Sequence, residues 1–367
     1  MEQENNYELN LSWQQKTSSW IKSVKDELST DIIFYLYSFG STAIIYFCSW
    51  YLDSPINYSF STYYHLFTVT TCAAILGAGM YYYFYLLVQR EKRPLNRFKK
   101  KVHQLFFPLY RTISIFLSLL AINFIVTNHT FLKSLIPLIN PFKWDHTFAE
   151  LDRLLHFGVA PWELTHSLFS SPWASLSINF AYNLWFFLMW GSAFFFCIYY
   201  KLPLLRLQFL LTFALLWMIN SIWFATLFSS AGPCYMELLT GDAQYAPLMK
   251  LLTAQSLYLE NIGASPLWSL STQDYLWHEY LENANSFGSG ISAMPSMHVS
   301  MSVLMALSIC RLNKKLGYFA YAFAILIQIG SVHLGWHYAI DGYVGTLLTV
   351  LLWKIVGWFI KRNTMAV

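Results

Sequence analysis

The sequence predicts an all-α fold, a polytopic membrane helix bundle with about eight transmembrane helices, and three observations predict it. First, of 367 residues, 56% are hydrophobic and 19% aromatic, whereas only 11% are charged. Soluble domains carry roughly 25% charged residues, so this chain has too few charges to cover a water-facing surface of its size. Second, apolar stretches approaching the roughly 20 residues needed to cross a bilayer recur along it. Third, lysine and arginine concentrate in alternate connections between those stretches, the pattern of cytoplasmic loops.

The apolar stretches are Ile32–Leu52, His65–Val88, Leu105–Val126, Ala174–Tyr200, Leu207–Ser229, Ser296–Cys310, Leu316–His333 and Ala339–Ile360. The sixth is short unless its helix begins just before the membrane, at Pro295. Arg90, Lys92, Arg93, Arg97, Lys99, Lys100 and Lys101 fill one connection, Lys201 and Arg206 bracket the next on that side, and Arg311, Lys314 and Lys315 mark the following one. Lys361 and Arg362 close the chain. With every stretch a span, all of these lie on the cytoplasmic side, as do both termini. The opposite loops set Lys133, Lys143, Arg153 and Lys250 against many acids, Asp145 and Asp152 among them. The N-terminal Met1–Asp31 lacks the basic start and short apolar core of a cleaved signal peptide and reads as a partly helical cytoplasmic extension.

Two outer loops are long. Thr127–Trp173 contains an amphipathic stretch, Phe148–Phe157, followed by Gly158, Pro161 and Trp162. Ala231–Met294 mixes aromatic and polar residues. Both predict helices lying at the membrane interface. The five cysteines, Cys48, Cys72, Cys197, Cys234 and Cys310, form neither a disulfide framework nor a zinc spacing. The net charge of +4 is small and makes no basic stripe interleaved with aromatics, which argues against nucleic acid.

Two stretches carry chemistry: Ser292-Ala-Met-Pro-Ser-Met-His298 and His333-Leu-Gly-Trp-His337-Tyr-Ala-Ile-Asp341. Ionisable residues at membrane depth are costly and mark function. His337 and Asp341 are four apart, which on a helix puts them on one face within hydrogen-bonding reach. A carboxylate there fixes the imidazole tautomer, favours the imidazolium, and prepares the far nitrogen as nucleophile or base. His298 lies 39 residues earlier, one span down and one span up, so both histidines return to the same face. Pro295 and Ser296 read as a helix start whose free N–H groups point at a phosphate position. Phe287-Gly-Ser-Gly290 gives the preceding loop freedom to shape itself around a substrate.

The P-S-M-H at Pro295–His298 and the H-Y-A-I-D at His337–Asp341 resemble the type-2 phosphatidic acid phosphatase superfamily, on the branch of inositol phosphorylceramide synthase and its bacterial relatives. Leu151–Trp162 and Ala231-Gly-Pro-Cys-Tyr235 are similar to that branch as well, and the likeness runs from about Trp144 to Gly345. The resemblance implies a six-helix phosphatase-like core over 105–367, with 1–104 an extension carrying two transmembrane helices, and a site at the extracytoplasmic surface; the polar N-terminus without a signal and the compact membrane domain suit a bacterial inner membrane, with the site facing the periplasm. It implies that His337 attacks phosphorus and forms a phosphohistidine, that Asp341 orients His337, and that His298 protonates the leaving oxygen, with no metal and no cofactor. Ser296, Gly232, Pro233, Tyr235, Asp152 and His333 make up the expected substrate-binding set. Asp152 reads equally as a substrate ligand or a helix cap.

The chain departs from the superfamily pattern in two places. It has no K-x-x-x-x-x-x-R-P motif, and Gly330-Ser331 stands where a Ser-Arg pair is expected. The lost cations, one Lys and two Arg, hold a phosphomonoester dianion. The expected reaction is therefore transfer of a phospho-head group from a membrane phospholipid to a lipid or sugar acceptor. Lys250, Arg153 or His333 would replace the lost charge. The alternative is a lipid phosphate phosphatase acting on phosphatidic acid or polyprenyl phosphates. A metal site built from His333, His337 and Asp341 on one helical face and a non-enzymatic transporter are the remaining readings.

Overall fold

The computed structural model describes residues 13–54, 56, 58–107, 109–282, 288 and 290–364. The first twelve residues of the N-terminal extension, and Phe287 and Ser289 of the loop expected to shape itself around substrate, lie outside the described residues. Among the described residues the chain is helical, without a strand.

The predicted spans appear as α2 (Ile32–Tyr51), α3 (Tyr64–Val88), α5 (Leu109–Ile139), α8 (Pro172–Ile198), α9 (Pro203–Leu227), α13 (Met297–Leu312), α14 (Lys314–His333) and α15 (Ala339–Thr364). All but α13 are long and apolar enough to cross a membrane, and the chain is an integral membrane protein. The remaining helices are α1 (Trp13–Thr30), α4 (Pro94–Phe106), α6 (Asp145–Leu155), α7 (Pro161–Leu168), α10 (Pro233–Thr240), α11 (Ala246–Asn261) and α12 (Trp268–Leu281). The last five fill the two long connections. Leu154, Phe157 and Leu168 are each at least 75% exposed there, as suits helices resting on lipid.

Three expectations need correction. The stretch Leu105–Val126 is two elements. Leu105 closes the amphipathic, basic helix α4, and the span begins at Leu109. The boundary drawn at residue 104 therefore falls inside α4. The same span runs on to Ile139, so Thr127–Ile139 is helix and not loop. Three groups of its polar run, Asn128, His129 and Thr130, have partners at that depth, whereas the buried Thr127 hydroxyl has none. Asn128 donates to Thr42 and accepts from Tyr58, Thr130 meets Tyr63, and His129 Nδ1 lies 2.8 Å from Ser221 Oγ. Last, α13 does not lengthen at Pro295. Ser296 caps it and it stays at 16 residues. It is wrapped by α8, α9, α14 and α15, so neighbours complete the thickness it lacks.

The bundle is locked to its N-terminal helices by one buried ion pair. Asp31, just ahead of α2, meets Arg206 of α9, and both are 1% exposed. The guanidinium also donates to Ser118 Oγ at 3.1 Å and to the Cys197 carbonyl, and lies over the Tyr200 ring. Removing one member leaves the other charge buried and unpaired, which costs about 3–5 kcal/mol, whereas exchanging both for apolar residues is close to neutral. Arg206→Met alone is expected to lower the detergent-solubilised melting temperature sharply, and Asp31→Leu with Arg206→Met to restore most of it. Equal melting of single and double variants would contradict this.

Candidate active site

The site is assembled at the ends of three helices. Ser296 caps α13, its hydroxyl accepting from the Val299 amide, and its own amide donates to the Asp341 carbonyl at 3.0 Å. Pro295 precedes the cap instead of occupying the first turn. This bond ties the start of α13 to the start of α15 and sets His298 in the first turn of α13. Arg311 sits at the opposite end of the same helix. Helix α14 ends at His333 because Gly335 takes a left-handed conformation, φ +74°. The loop 334–338 then turns back and α15 begins at Ala339.

His337 and Asp341 therefore do not share a helix. His337 is in the loop and Asp341 in the first turn of α15, yet the four-residue spacing still brings them together. His337 Nδ1 lies 3.2 Å from Asp341 Oδ2, which also accepts from the Tyr338 amide at 3.0 Å. Burial pushes the His337 imidazole down to about 3, with the Lys133 charge acting in the same direction and the Ala293 backbone opposing. Burial thus works against the imidazolium that the Asp341 carboxylate is expected to favour.

His298 faces His337 with ring centroids 6.1 Å apart. Its ring is held in an aromatic slot, 4.5 Å from Tyr182 and 4.2 Å from Trp185. Both imidazoles open into one cavity of about 550 Å³. Its lining combines polar side chains, His298, His337, His129, Lys133 and Tyr235 among them, with apolar ones such as Val126, Trp185, Met189, Trp190 and Trp217. A lining of both kinds suits an amphiphile that carries a phosphate and hydrocarbon.

The other predicted residues separate. Tyr235 lines the cavity, its hydroxyl donating to the Gln273 carbonyl at 3.0 Å. Ser296 is fully buried and is occupied as a cap. Gly232 and Pro233 stand behind the wall at the start of α10; the Cβ of any other residue at 232 would lie 2.6 Å from the Trp336 carbonyl oxygen. Asp152 does not line the cavity. Its carboxylate accepts from the Ala339 and Ile340 amides at 2.6 and 2.9 Å, capping the membrane-spanning α15 and not an interfacial helix. His333 is fully buried away from the cavity, stacked on His166 at 3.7 Å with Nε2 2.8 Å from Ser175 Oγ. The helix break at Gly335 is what parts it from His337, so His333, His337 and Asp341 do not form one face. Among the described residues no group of three or more His, Cys, Asp or Glu side chains is placed to hold a metal. Arg153 and Lys250 are exposed and outside the lining.

Sequence reasoning missed three residues. Asp145 accepts from the Ala231 and Gly232 amides and from the Tyr338 hydroxyl, fastening the Gly232 loop to the His337 loop. Burial raises its carboxyl and these donors pull it back. Lys133 and His129 lie one turn apart on α5 and both line the cavity. Their i, i+4 spacing was the available signal, hidden by reading Thr127 onward as loop. Helix α9 adds a π-helical turn, Ile219–Phe224, which aims Ser221 at His129 and Asn220 at Ser300.

Comparison with known proteins yields one match. The family model described as the PAP2 superfamily matches residues 146–355, a stretch that includes His298, His337 and Asp341. No curated protein and no solved structure matches the chain.

Proposed function

The chain belongs to the PAP2 superfamily, whose members are phosphatases and phosphotransferases acting on lipid phosphates, and from that premise we propose that it is a lipid phosphotransferase. It moves a phospho-head group from a phospholipid donor to a lipid or sugar acceptor, as inositol phosphorylceramide synthase does. The observation that carries this reading is the pair of imidazoles 6.1 Å apart across one cavity, with Asp341 3.2 Å behind His337.

In the proposed first step the free nitrogen of His337 attacks phosphorus. The P–O bond to diacylglycerol breaks, and His298 gives its proton to the departing oxygen. Asp341 holds Nδ1 and stabilises the charge that develops on the ring. In the second step His298 takes the proton of an acceptor hydroxyl, that oxygen attacks phosphorus, and the P–N bond breaks. Burial, which disfavours the imidazolium of His337, supports its role, because only an unprotonated nitrogen can attack. We place the site on the periplasmic side of a bacterial inner membrane, since His298 lies at the end of α13 opposite the basic connection at Arg311.

The test uses purified full-length protein in mixed micelles with phosphatidylinositol labelled in its head group, with and without ceramide or a polyol. Label on the acceptor together with free diacylglycerol is expected. Phosphate released from phosphatidic acid, without head-group transfer from phosphatidylinositol, would defeat the transferase reading and leave a phosphatase.

A further inference from the structure

We propose that Lys133 is the anion-holding residue of this cavity, and that its single charge selects a phosphodiester over a phosphomonoester. The inference rests on the reading of the cavity as a phosphate site and names its substrate class. Among the described residues lining the cavity, Lys133 is the one lysine or arginine, and there is no aspartate or glutamate. It shares that wall with His298 and His337, and no described ion pair engages it. An ammonium at this depth without a carboxylate is costly, and an entering anion removes that cost.

The side chain is also held in place. Gly290 takes φ +86°, and a Cβ there would sit 3.1 Å from Lys133 Cγ and 3.2 Å from the α5 backbone. The loop leading into Pro295–His298 thus packs its backbone directly on the lysine stem. The same loop delivers His298, so the cation and the general acid are set by one piece of chain.

Charge balance then decides the ligand class. A phosphodiester carries one negative charge, which one ammonium neutralises. A phosphomonoester carries about −1.5 to −2 near neutral pH, which leaves excess negative charge among Trp185, Trp190 and Trp217. The three cations absent from the superfamily pattern are therefore replaced by one, on a helix outside that pattern.

The test is direct binding to full-length protein in detergent at pH 7, by calorimetry, with dihexyl phosphate as diester and hexyl phosphate as monoester. The wild type is expected to bind the diester more tightly. Lys133→Met should weaken diester binding about 10- to 100-fold, the worth of one charge-assisted hydrogen bond. Lys133→Arg should stay within about threefold, since it keeps the charge. Wild-type preference for the monoester, no diester binding at all, unchanged binding in Lys133→Met, or equal loss in both folded variants would each overturn the proposal. A His337→Asn variant assayed alongside separates the two levels. If it turned over phospholipid at the wild-type rate, the catalytic reading would fall while the binding comparison still judged Lys133.

Discussion

Turnover of phospholipid by His337→Ala is expected to fall by about 10³-fold or more, the scale of losing a nucleophile from a unit that works together. The residue has no stand-in. His298 is fixed by Tyr182 and Trp185 on the far side of the phosphate, and His333 faces Ser175. His298→Ala should behave differently. A general acid contributes about 10²–10⁴-fold, but only where the leaving oxygen needs a proton. With a nitrophenyl phosphodiester the leaving group departs unaided, so His298→Ala should still release about one equivalent of nitrophenol per site in a burst, with slow turnover after it because the second step needs His298 as base, while His337→Ala releases none. Rapid quench into alkali, where phosphohistidine persists, should trap labelled wild type and not His337→Ala. Equal sensitivity of His298→Ala to both leaving groups would remove the assigned roles.

Much of this arrangement was readable in the residues, and what was not has physical causes. The apolar stretches gave the spans because a lipid-facing helix needs a continuous hydrophobic surface, whichever partners it packs on. The two histidine motifs could be joined because the basic turn at Asn313-Lys314-Lys315 forces the chain to cross and return. Helix α5 was cut short at Val126 because Thr127-Asn128-His129-Thr130 has the composition of a loop. Only the partners Thr42, Tyr58, Tyr63 and Ser221, scattered from α2 to α9, make that run acceptable inside a bundle. No local pattern encodes such contacts, and Lys133 was hidden with them. His333 was misplaced for the opposite reason. A regular H-x-x-x-H spacing was followed through Gly335, whose left-handed conformation ends the helix between the two histidines. Asp145 counted as a loop acid because its work, accepting backbone amides from a distant turn, leaves no trace in spacing.

Gly232→Ala should be far more harmful to activity than to folding. Gly232 has φ +101°, a conformation L side chains rarely adopt, and its Cβ would meet the Trp336 carbonyl oxygen at 2.6 Å. The loops on either side cannot separate freely. The Cys234 amide donates to the Gly335 carbonyl at 3.0 Å, and the Gly232 amide to Asp145 at 2.8 Å. The clash is therefore resolved by shifting Trp336, and with it His337, the next residue. Backbone strain of this kind costs about 1–3 kcal/mol. A displacement of about 1 Å at a reacting group costs about 10²-fold in rate. Gly241→Ala is the matched control. It too has a positive φ, +73°, but nothing lies within 4 Å of its Cβ. It should lose stability on the same small scale and keep wild-type turnover. If the two alanine variants lost activity alike, contact with the His337 loop would not be what Gly232 provides. The expected divergence follows from where each strain is released: at Gly241 into open space, at Gly232 into the backbone that carries His337.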